Sequence, residues 1–509
     1  LKSPYYTSEF PWVMKKFFLE NPSNFELLLS NYSLDGANYY IPNNITKDEM
    51  YQFCEKYIES EFTNLNYVRL IGHGIKGLRE LNIDAKLKLK ARKRSEELEE
   101  EYFNKESDLK SSRTEHRIIV YLEKEQYDKS MADFKSLIDL KYLKKENYPE
   151  NLLEYMMYFY YFFTDNWILN LCSFPNLESS TISRVFSGVH TKKYYETSSY
   201  FINKNHLVLL TFKAYQEKLK EISNSRIEEL LVYFFSVYSK ENFDIHWLPL
   251  DFADETQKIP IQVKNLVTLE EQLRKQWKLY TEEKEIDSDL FELESTPALS
   301  SLKSLLDKKY IYVNKKNENV QKILHLLFSD QSDLIYINEK FNAHSFVQLI
   351  GENEIKRYMY RNYQQLGIDF LVNNKVISVN QDEEIYITKK QYTRIIIFSI
   401  LYRYGVIHYH HWIQKLSIKE ILKEQQKEID QMLEEGLLVN ESKLFAKPEV
   451  DYLNYILNNS VFDNALGLRN KYSHGSIIEE NEEDYFYILV ILVFYTVKIN
   501  EELEFSIDT

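Results

Sequence analysis

Cysteine is nearly absent from this chain. Only Cys54 and Cys172 occur in 509 residues, and they stand far apart. Without a CxxC pair, a zinc ribbon or finger lacks its ligands. A disulfide framework lacks its partners, and a reducing, cytoplasmic setting is the expectation that follows. Glycine and proline are scarce too, at 11 and 10 residues, below their usual share. Few turns and long helices should result. The most apolar run, residues 485–497, is too short to cross a bilayer. The longer run at 155–174 carries Asp165, Asn166 and Asn170. Both read as buried helices, so no membrane contact is expected, and no secretory leader is read at the start. A Walker A loop, an HExxH pair, a GxSxG elbow and internal repeats are all missing.

What the chain has is aromatic surface to bury. There are 41 Tyr and 30 Phe, and hydrophobic residues make up 44%. That supports large packed cores and, at this length, about three domains. Acidic residues outnumber basic ones 78 to 63, a net charge of −15. Nonspecific nucleic-acid affinity comes from neutralising phosphates. Any RNA contact must therefore use a local basic patch.

Residues 1 to about 75 read as mostly helical, with Thr46 as an N-cap and Glu49 at the capping-box position. Residues 72–77 have the spacing GxGxxG after a strand-like stretch at 67–71. A dinucleotide loop would need a βαβ unit, whereas a charged helix follows, so a structural turn is expected. In that helix Lys86, Lys88, Lys90, Arg92, Lys93 and Arg94 run into Glu96, Glu97, Glu99, Glu100 and Glu101. The pattern suits a solvated helix with internal ion pairs. A strand is expected at 116–123 and a polar surface connection at 177–201.

A helix at 345–365, then strands at 375–379 and 384–387, make a winged-helix-like segment. Its turn carries Asp382, Glu383 and Glu384, which argues for a structural or partner-binding role over phosphate reading. Residues 389–509 read as four helices, about 390–411, 417–435, 450–474 and 483–503. His408, His410 and His411 invite a metal site, but no carboxylate or cysteine stands near them in sequence; they read as a cluster at a bundle end.

The most chemically loaded segment is 466–475, LGLRNKYSHG. Leu453, Ile456, Leu457, Val461, Ala465 and Leu468 recur at three- and four-residue steps before it, the periodicity of a helix. Gly475 stands where a helix would end. Arg469 can hold a phosphate and stabilise charge growing on it. His474 can move a proton near neutral pH. Arg403 and His408 also stand five apart, and Arg184 and His190 six apart, but neither arginine is followed by a polar residue.

The run Arg469-Asn470-Lys471-Tyr472-Ser473-His474 resembles the signature of the HEPN superfamily (higher eukaryotes and prokaryotes nucleotide-binding), over at most the last ~120 residues, the size of one small domain. The resemblance implies a C-terminal bundle of four to five helices and a metal-independent endoribonuclease without cofactors, of the kind found in toxin–antitoxin and phage-defence systems. It implies Arg469, Asn470 and His474 as catalytic residues, with Lys471, Tyr472 and Ser473 toward RNA. Tyr472 stacks on a base or faces the bundle. Such enzymes share one site between two bundles, so a homodimer or higher even oligomer is expected.

The expected fold is thus mainly α with minor β. Residues 1–260 form a sensor or regulatory region, 261–388 a winged-helix-like α+β domain, and 389–509 the HEPN-like bundle. A phage-derived trigger or an inhibitory partner would control it. Two alternatives stand beside this: a non-catalytic HEPN module for nucleotide binding or dimerisation, and a winged-helix DNA-binding regulator.

Overall fold

The computed structural model describes residues 10–32, 42, 44–60, 62–73, 83–104, 118–121, 134–137, 149–157, 162–164, 166–180, 193–410, 419–473 and 481–507. The chain is mainly helical with a few small sheets, as the scarcity of glycine and proline requires. It divides into two units, 1–114 and 115–509.

The first unit holds helices α1 (Pro11–Glu20), α2 (Phe25–Tyr32), α3 (Lys47–Glu59), α4 (Leu65–His73) and α5 (Ala85–Asn104). Its core gathers Phe18, Phe25, Phe53 and Tyr57. The capping box of α3 is formed: Thr46 N donates to Glu49 Oε2 at 2.8 Å, and Glu49 N donates to Thr46 Oγ1 at 3.3 Å. Residues 67–71 are helical, not a strand. Val68 and Ile71 reach the core from one face of α4, three residues apart. Gly72 closes this helix against α5, where a Cβ would meet Arg92 Cγ at 3.0 Å. Its smallness serves helix packing. Gly74 and Gly77 lie outside the described residues. On α5, Lys90 pairs with Glu55 at 2.9 Å and with Glu59, both on α3.

The second unit opens on two short parallel strands, β1 (Ile118–Tyr121) and β2 (Phe134–Leu137), in register Ile118↔Phe134. Helix α6 (Glu150–Met157) follows. Residues 162–164 and 166–174, expected as part of a buried helix, are instead a bend. Phe163 bridges to Leu169, and Trp167 takes a φ of 56°. The polar residues within the run explain it: Asn166 Nδ2 donates to Val406 O at 2.6 Å, a partner that helical continuation would not offer.

Helices α7 (Ser199–Ser223), α8 (Ile227–Tyr233) and α9 (Ile259–Glu283) then build the larger core. The smaller core is made by β3 (Tyr310–Val313), α10 (Glu318–Phe328), β4 (Tyr336–Asn338), β5 (Phe341–Asn342), α11 (Phe346–Glu352), α12 (Asn362–Asn373), β6 (Ser378–Val379), β7 (Ile385–Tyr386), α13 (Lys389–Tyr404), β8 (Ile407–His408), α14 (Lys419–Glu434) and β9 (Leu438–Glu441). The expected helix at 345–365 is split into α11 and α12, and the ribbon β6–β7 is present, paired Ser378↔Tyr386. The chain returns to the larger core with α15 (Lys447–Leu457), α16 (Leu468–Ser473) and α17 (Glu482–Ile507).

This packing crosses the boundaries expected at 260 and 388. α17 is buried along most of its length and packs against α6, α7, α8 and α9. α13 and α14 belong to the smaller core, so residues 389–509 do not form one bundle. Periodicity marks a helix but not the core it joins. The expected helix at 450–474 is also interrupted between Leu457 and Leu468.

The two cores meet along a three-stranded antiparallel sheet, β8–β3–β9, with β3 central. Strand alternation does the joining: Tyr310 enters the larger core and its neighbour Ile311 the smaller. Beneath this seam lies a buried ionic network. Lys498 Nζ pairs with Glu449 Oε1 at 3.0 Å and donates to Trp167 O at 3.1 Å. Glu449 also accepts Leu169 N and Ala446 N, at 3.0 and 2.8 Å. Lys309 pairs with Glu502 and, at 3.0 Å, with Glu501. Burial alone would lower the Lys309 ammonium, but Glu501 and Glu502 outweigh it and hold it above the usual lysine range.

Removing one member strands its partner without solvent. Lys498→Met should therefore cost about 3–5 kcal/mol in a urea unfolding series. Lys309 has a folded pKa above its unfolded one. Its contribution is complete below the ordinary lysine value and is lost as pH rises through the raised one. The melting-temperature gap between wild type and Lys309→Met should accordingly narrow as pH climbs past the ordinary lysine range.

Candidate functional site

The motif segment is held by a short turn rather than by a long helix. After α15, residues 458–467 leave helical geometry. Asn458, Asn459 and Ser460 supply poor helix formers there. Asn464 exchanges hydrogen bonds with the backbone of Tyr195, both at 2.9 Å. Leu466 N donates to Tyr455 O at 2.8 Å. Gly467 then takes a φ of +60°, with a Cβ position only 3.1 Å from Asn459 Cβ. Any other residue would be strained there. Lys471 N donates to Gly467 O at 2.9 Å, which starts α16.

Four of the motif side chains on α16 meet partners from other segments. Arg469, partly exposed, forms an ion pair through Nε with Glu271 Oε1 of α9. Asn470 Nδ2 donates to Asn459 Oδ1. Lys471 Nζ and Tyr472 OH both donate to Asp484 Oδ2 of α17, at 2.5 and 2.7 Å. Tyr472 is 2% exposed, so of the two roles open to it the packing one holds, and it does not present a face to RNA. Burial and the Asp484 bond both raise its phenol pKa. Ser473 is exposed at the end of the helix. His474 and Gly475 lie outside the described residues.

Glu271 is the residue that the sequence did not mark. It lies nearly two hundred positions from Arg469, in a helix whose only local signal is amphipathic spacing. The preceding Glu270 fixes it in place. Glu270 is fully buried, accepts Tyr495 OH of α17 at 2.6 Å, and pairs with Arg274 at 2.8 Å. Arg274 also donates to Pro297 O at 2.8 Å. α9 is thereby pinned to α17, and Glu271 is carried to the motif by its neighbour's anchoring.

The other sequence candidates fall elsewhere. His408 is on strand β8, not a helix. It is fully buried, with Nε2 2.8 Å from Glu501 Oε1. Arg403 is exposed on α13, so the five-residue spacing of Arg403 and His408 makes no site. His410 Nε2 lies 2.9 Å from Asp307 O, and His411 is outside the described residues, as are Arg184 and His190. No group of three or more His, Cys, Asp or Glu able to hold a metal occurs among the described residues. Among them, too, no helix is long and apolar enough to cross a membrane.

Comparison with models of known protein families, with curated proteins and with solved structures finds no match in any of the three.

The turn before α16 can be tested directly. Gly467→Ala should lower stability by about 1–2 kcal/mol, the cost of a side chain in the left-handed region, read as a shifted urea midpoint. Gly351→Ala, with open space around it, is the control and should not destabilise.

Proposed function

We propose that the chain is a metal-independent endoribonuclease of HEPN type, an antiphage or toxin effector, with its site at the end of α16. One observation supports this above the others: Arg469 and Asn470, the two described residues of the proposed catalytic three, are partly exposed on one short helix and are each held by a side chain from another segment. Catalytic groups gain most when their geometry is fixed before substrate arrives.

In the proposed reaction the RNA 2′-OH attacks the adjacent phosphorus and the bond to the 5′ oxygen breaks. The products are a 2′,3′-cyclic phosphate and a 5′-OH. His474 takes the proton from the nucleophile or returns one to the leaving oxygen. Arg469 stabilises the charge on the phosphorane-like transition state, and Asn470 orients His474 or the phosphate. Lys471 and Ser473 lie toward the RNA. One motif supplies one arginine and one histidine, so a second copy in a homodimer or higher even oligomer completes the site. The remaining regions, including the winged-helix-like segment of α11, α12 and the β6–β7 ribbon, serve as sensor or restraint for a phage-derived trigger or inhibitor. The acidic turn at Asp382, Glu383 and Glu384 weighs against the DNA-regulator alternative.

Arg469→Ala and His474→Ala should each abolish cleavage of total RNA in the presence of EDTA. The double variant should be no worse than either, because both residues act on one phosphate. Arg403→Ala should cleave like wild type. Retained cleavage by both single variants would remove the site assignment. An inactive wild type that binds nucleotide or dimerises would point to the non-catalytic HEPN alternative.

A further inference from the structure

Resting on that reading of the motif, we infer that Glu271 is a positioning residue, which clamps the Nε edge of Arg469 and leaves the Nη edge for the substrate phosphate. A guanidinium carries five N–H donors in a fixed fork. Here the Nε side is engaged by Glu271 Oε1. Among the described residues, none accepts a hydrogen bond from Nη1 or Nη2. The side chains of the pair are 36% and 27% exposed, so the ion pair borders solvent. An arginine held at one edge and open at the other presents two parallel N–H groups, the geometry that suits a phosphate.

Glu271 is suited to this work because its own position is not free. Glu270, one residue before it, is locked by Tyr495 and Arg274 inside the larger core. A carboxylate on a pinned helix can fix a flexible four-bond side chain, whereas a carboxylate on a loop would follow it. The same pair could instead act as a restraint, with Glu271 competing against phosphate for Arg469. The two roles predict opposite signs on removal of the carboxylate charge. The open Nη edge favours positioning, since a restraint would cover the donors that phosphate needs.

The experiment uses the full chain and a pool of end-labelled single-stranded RNA 20-mers, with EDTA present. Wild type, Glu271→Gln, Glu271→Asp and Arg469→Ala are compared for kcat and KM. Glu271→Gln keeps the size and shape of the side chain and should stay folded, which its melting temperature checks. The expected result is a fall in kcat of about 10- to 100-fold for Glu271→Gln, the scale of a small misplacement at a reacting centre, with KM nearly unchanged. Glu271→Asp should recover part of the loss. Added guanidinium should restore some cleavage to Arg469→Ala but none to the Arg469→Ala, Glu271→Gln double variant. If Arg469→Ala is dead while both Glu271 variants cleave at the wild-type rate or faster, the positioning role is overturned and the catalytic reading stands. If Arg469→Ala cleaves like wild type, or wild type does not cleave, the catalytic reading itself fails and this inference falls with it.

Discussion

The second unit depends on burying charge where its segments converge. Lys309, Lys498, Glu449, Glu501 and Glu502 are all nearly or fully inaccessible, and each must find its partner in a different stretch of chain. Residues near 167, 304, 309, 444 and 498 are drawn to one place by that need. Apolar packing alone tolerates many arrangements of similar helices. A buried ammonium does not tolerate a missing carboxylate. The network therefore acts less as a source of stability than as a constraint on which arrangement is folded.

The site region inherits that constraint. α17 supplies Glu501 and Glu502 to the network at its C-terminal end. Near its start it supplies Asp484 to Tyr472 and Lys471. Midway, Tyr495 reaches Glu270 on α9. One helix thus ties the seam, the clamp on Arg469 and the packing of α16 together.

What was legible in the sequence was local. Thr46 and Glu49 announced their capping box because both halves of it lie within four residues. The charged helix α5, the strand β1 and the ribbon β6–β7 were visible for the same reason. The interruption between α15 and α16 was legible too, in Asn458, Asn459, Ser460 and Gly467, but the apolar steps on either side carried the eye across it. Residues 67–71 looked like a strand because a short apolar run fits either period. Glu271 and the destination of α13 and α14 could not be read. Both depend on contacts between residues far apart in sequence, and periodicity holds no record of a helix's partner. The proposed motif at 469–474 stands on its residue pattern alone.

The seam has a mechanical consequence. The smaller core is joined to the larger by three neighbouring strands, β8, β3 and β9, and not by a single linker. A lobe attached by one linker can swing. A lobe sewn through a ladder can only slide along it or tear it, since every hydrogen bond in the sheet would have to shift together. Anything that grips the surface of the smaller core therefore pushes on β3 as a lever, and Lys309, next to Tyr310 on that strand's leading edge, carries the push straight into the carboxylates of α17.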